Sequence, residues 1–84
     1  VEAVVRLIAD AWEPYLGPEL AEERARDAAT VLVAGKELSE EHVASTLTRC
    51  FLRAMRPPYN RPRMSGSMVV DAVQAAIEAL AQAG

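Results

Sequence analysis

Apolar side chains recur with a helical period in four stretches of this chain, and proline, glycine and serine stand between the stretches. That alternation limits the fold more than any other feature, because a 3.6-residue period buries one face of a helix and cannot serve a strand. In the first stretch Val1, Val4, Val5, Ile8, Ala11 and Trp12 share a face, opposite Glu2, Arg6, Asp10 and Glu13. Pro14 is expected to end this helix, since the residue before a proline is pushed out of the α region. Tyr15, Leu16 and Gly17 then make a corner, and Pro18 suits the first turn of the next helix. The second stretch presents Ala21, Ala25, Ala28, Ala29 and Leu32, widened by Leu20, Val31 and Val33, with Gly35 as the residue after its end. Ser39 reads as the N-cap of a third helix that buries Val43, Leu47, Cys50, Phe51 and Ala54. Pro57-Pro58 stops it, and Ser65 or Ser67 caps a last helix with Val69, Val73, Ala76, Ile77 and Leu80 inward.

The pattern predicts an all-α fold, a small four-helix bundle with helices near 2–13, 19–34, 40–56 and 67–82, in a single domain spanning 1–84. Leu47, Phe51, Ile8, Leu32, Val73 and Leu80 are expected among the most buried side chains. Hydrophobic residues make up 51% of the chain and aromatics only 5%, so alanine supplies much of the core. Alanine buries far less than the roughly 1.5–3 kcal/mol worth of a Leu or Val side chain. A bundle of this size with such a core gains stability by self-association, so a homo-oligomer is expected. The Ala-rich face of the last helix, with Ala75 and Ala79 at its edge, is one candidate contact. Trp12 and Tyr15 are expected to cover the open end of the bundle.

Charge is divided unevenly. The segment from Arg49 to Arg63 carries five arginines and no acid, whereas the residues before it carry ten acids against four bases. Placed on a helix, His42, Arg49, Arg53 and Arg56 fall within a sector of about 60°, bordered by Ser45 and Thr46. The stripe leads into Tyr59, Asn60, Arg61 and Arg63. Arginine presents a planar fork of donors that fits carboxylate or phosphate. Arg49, Arg53, Arg56, Tyr59, Arg61 and Arg63 are therefore the candidate partner-binding residues. The competing expectation is internal: Arg49 or Arg53 pairs with the acids of the second helix.

The partner expected for these arginines is an acidic protein surface, on another copy or on a different protein. Nucleic acid is the alternative. The second and third helices have the outline of a helix-turn-helix, but Glu40 and Glu41 occupy the start of the third, where base contacts are made. A net charge of −3 also lacks the basic footprint of a DNA binder.

No catalytic, metal or cofactor motif is present, and the expectation is a non-enzymatic protein. His42 and Cys50 are the only residues of their kinds. On one helix they stand about 12 Å apart along the axis, beyond any thiol–imidazole contact. Cys50 lies on the apolar face and is expected to be a small core residue. A lone cysteine fits a reducing compartment, and the expected location is the cytoplasm. No apolar run approaches the ~18–20 residues needed to span a bilayer.

Overall fold

A computed structural model describes residues 2–35, 39–59 and 64–83. Four α-helices follow in order: α1 Glu2–Leu16, α2 Pro18–Ala34, α3 Glu40–Leu52 and α4 Gly66–Ala83. A short 3₁₀ turn, Arg53–Met55, extends α3, and no strand occurs among the described residues. All four helices feed one core cluster. The fold class and the order of the elements match the sequence pattern.

α1 departs from expectation at its end, because it runs through Pro14 to Leu16. Proline costs the helix one N–H bond. Continuing the helix buries Leu16 and lays the Tyr15 ring edge-on to Phe51 at 6.1 Å. The break falls instead at Gly17, whose φ of 83° is a left-handed conformation that glycine adopts without penalty. Gly17 donates to Glu13 O at 2.9 Å and accepts from Ala21 N at 2.9 Å, so one residue closes α1 and opens α2.

α2 meets the bundle through alanine: Ala21, Ala25, Ala28 and Ala29 are all fully buried. The expected widening of this face by Val31 and Val33 does not occur, and both are exposed. They flank the alanine seam, roughly 100° round the helix from its middle on either side. Gly35 ends the helix in an extended conformation, φ −75°, rather than a left-handed one, with its N–H bonded to Val31 O at 3.0 Å. α4 is capped by Ser65, whose Oγ accepts from Met68 N at 3.3 Å.

The largest side chain of the centre is Trp12. It is fully buried, donates from Nε1 to Ala72 O at 3.1 Å, and meets Phe51 edge-on at 5.4 Å. Expected as a cover for the bundle's end, it is the core's centrepiece, because its one polar atom finds a backbone acceptor. Ile8, Leu47 and Phe51 are fully buried, with Leu32 and Val73 nearly so. Leu80 and Ile77, expected inward, are only half-buried. No helix among the described residues is long and apolar enough to cross a membrane.

Candidate functional site

The arginine face grows out of the way α3 begins and ends. Ser39 caps its start, its Oγ accepting from His42 N at 3.3 Å. Glu40 and Glu41 sit at the positive end of the helix dipole. Regular helix stops at Leu52, four residues before the expected end at 56, and tightens into the 3₁₀ turn. Arg56, which precedes Pro57, is extended at φ −113°, ψ 161°. Arg49 and Arg53 lie one helical turn apart, and Arg56 follows beyond the turn.

All three arginines are exposed. With Asp27, Cys50 and Leu52 they line an open pocket of about 380 Å³ at the seam of α2 and α3. None of the three forms a salt bridge or a side-chain hydrogen bond among the described residues. Three acids of α2 are engaged elsewhere: Glu22 pairs with Arg26 at 3.5 Å, Asp27 pairs with Arg24 at 3.2 Å, and Glu23 accepts from Tyr59. The internal pairing of Arg49 or Arg53 with α2 is not made. Thr46, expected at the border of this stripe, is buried, so the face is narrower than the helical wheel suggests. His42 is half-buried and lies near Gly35.

Tyr59 joins a different group. Arg24 is a buried cation on α2, and its NH2 donates to Tyr59 Oη at 3.2 Å while its NH1 donates to Asp27. The Arg24 guanidinium also stands 4.9 Å from the Tyr59 ring centroid. Tyr59 Oη donates in turn to Glu23, and this acceptor raises the phenol's pKa above its ordinary value. Tyr59 thus ties the segment after α3 back to α2 instead of presenting a free ring. Arg24 was hidden in the sequence among the bases of the acidic half. Its signal is an i, i+3 position between Ala21 and Ala28, inside the apolar face of α2. Arg61 and Arg63, with Asn60, lie outside the described residues.

Cys50 is buried beside Asp27, with Sγ 3.9 Å from Oδ2. Burial, then the Asp27 charge, pushes the thiol pKa up, which keeps it protonated and a poor nucleophile. No group of three or more His, Cys, Asp or Glu side chains suited to a metal occurs among the described residues.

Away from the arginines lies a larger, apolar groove of about 660 Å³. Val4, Leu32, Val33, Val43, Ile77 and Leu80 line it, with Glu40 at its edge. It explains why Ile77 and Leu80 are only half-buried: they face this opening. Sequence pattern assigns apolar residues to the inside and gives no sign that four helix ends leave a gap there. Comparison with family models, with curated proteins and with solved structures gives no match.

Proposed function

We propose that this chain is a non-enzymatic protein-interaction module that associates with itself, presenting the arginine face of α3 to an acidic protein surface. The observation that carries this reading is the exposure of Arg49, Arg53 and Arg56 around one pocket, with no ion pair among the described residues. Unpaired guanidinium groups that converge on one opening are suited to carboxylates brought by a partner. Exposed acids of that kind exist on the chain itself, where Glu40 and Glu41 open α3. The alternative occupant, nucleic acid, loses its stacking residue, because Tyr59 is bound to Arg24 and Glu23. The lone cysteine fits a reducing compartment, and the cytoplasm is the location that goes with this reading.

Sedimentation across a concentration series tests the reading. Association is expected, weakening as salt rises, and Arg49→Ala and Arg53→Ala are each expected to weaken it. At about 150 mM salt, where exposed charges are screened beyond roughly 8 Å, duplex and single-stranded DNA are expected not to bind. Submicromolar binding of generic DNA under that condition overturns the proposal in favour of nucleic acid.

A further inference from the structure

All five of the strongly exposed large hydrophobic side chains among the described residues stand towards the two ends of the bundle. Val31 and Val33 are in the last turns of α2, while Leu52 ends α3 and Met68 and Val70 open α4. The two ends differ in charge. The apolar groove takes Val43 and Glu40 from the start of α3 and Leu80 from the end of α4. α2 and α4 both finish at this end with no basic residue in the last turn. The starts of α1 and α3 lie at this end too, so the helix dipoles offset one another, and the negative charge here is that of Glu40 at the groove and its exposed neighbour Glu41. At the other end of α3, Leu52 is 38% exposed and borders two openings at once. One is the arginine pocket, and the other is lined by Met55, Met64 and Val69. An apolar knob with Arg49, Arg53 and Arg56 along one side thus stands at one end of α3, and an apolar groove with Glu40 at its rim stands at the other. The 13 residues of α3 separate them by about 20 Å.

From this we infer that the groove is the docking site for the Leu52 end of a second copy, so that copies join head to tail. The inference rests on the self-association proposed above and adds its geometry. Knob and groove are complementary in both polarity and charge, whereas arginine against arginine brings like charges together. A contact between two different patches is heterologous, so each added copy leaves one knob and one groove open. Such contacts continue into a filament or close into a ring.

Two variants and their mixture test this by sedimentation velocity. Val33→Asp places a charge at the groove, and Leu52→Asp places one on the knob. Both sites are exposed, and helical content by circular dichroism checks that each variant folds, with Val33→Ser and Leu52→Ser as milder replacements. The wild type is expected to grow beyond a dimer as concentration rises. Each variant alone is expected to be monomeric, with association weakened at least tenfold. Their equimolar mixture is expected to form a one-to-one dimer, since each supplies the patch the other lacks. A wild type that stops at a dimer overturns the head-to-tail geometry. Folded variants that stay monomeric when mixed overturn the groove as acceptor and leave the arginine-face reading standing. A wild type that is monomeric throughout overturns both.

Discussion

Replacing Trp12 by phenylalanine probes the centre of the fold with a change whose cost follows from the structure. The indole is fully buried and donates to Ala72 O at 3.1 Å. Losing that hydrogen bond costs about 0.5–1.5 kcal/mol. The low end applies, because Ala72 lies inside α4 and its carbonyl keeps a place in the helix ladder. The carbon atoms that Trp has beyond Phe add about 1.5–2 kcal/mol, at roughly 0.8 kcal/mol per buried CH₂. The total, about 2–3 kcal/mol, stays below the 3–5 kcal/mol of a full truncation to alanine. At about 4–8 °C per kcal/mol for a domain of this size, Tm is expected to fall by roughly 10–20 °C. Urea unfolding followed by far-ultraviolet circular dichroism measures the change, at one fixed protein concentration so that association does not contribute. Trp12→Phe with less than about 0.5 kcal/mol of destabilisation would refute the placement of Trp12 as the packed and bonded centre.

Two further outcomes concern titrating groups. The Cys50 thiol, its pKa raised by burial and then by Asp27, is expected to react with a thiol reagent at mildly alkaline pH much more slowly than the urea-unfolded chain does; equal rates would show that the site is open. The Tyr59 phenol, raised by its bond to Glu23, contributes stability that is fully present below its ordinary pKa of 10.0 and is lost as pH rises through the higher folded value. An ultraviolet titration of wild type minus Tyr59→Phe should isolate this phenol, and ionisation at or below the ordinary value would contradict the Glu23 contact.

The periodicity of apolar residues is a reliable guide to four helices here because burial and helix geometry select the same positions. Ile8, Leu47 and Phe51 are inward on both counts. The pattern is blind to what happens between helices. Pro14 is a local signal to stop, and the local cost is outweighed by the burial of Leu16 and the Tyr15–Phe51 contact, which exist only after folding. Val31 and Val33 have the right composition for the core and the wrong angle around α2. The arginine stripe was legible because Arg49 and Arg53 share one face of one helix. The contact of Arg24 with Tyr59 was not, since Tyr59 lies 35 residues away in sequence and only the return of the chain after Pro57 brings it back. The apolar groove needed the three-dimensional positions of all four helices, as no single segment contains it.

The alanine seam of α2 has a consequence for how this protein tolerates change over time. Where most small domains depend on filling their centre with large side chains, this one brings two helix backbones together over Ala21, Ala25, Ala28 and Ala29, each with no accessible surface. Natural variation at those four sites is therefore bounded from above. An added methyl or ethyl group has no space to occupy and must push α2 away from its neighbours. Trimming to glycine removes only one carbon, and its cost is mainly the helix propensity it forfeits. Drift at these positions is thus expected to run among Gly, Ala and Ser, while Trp12 and Phe51 supply the large buried volume of the core.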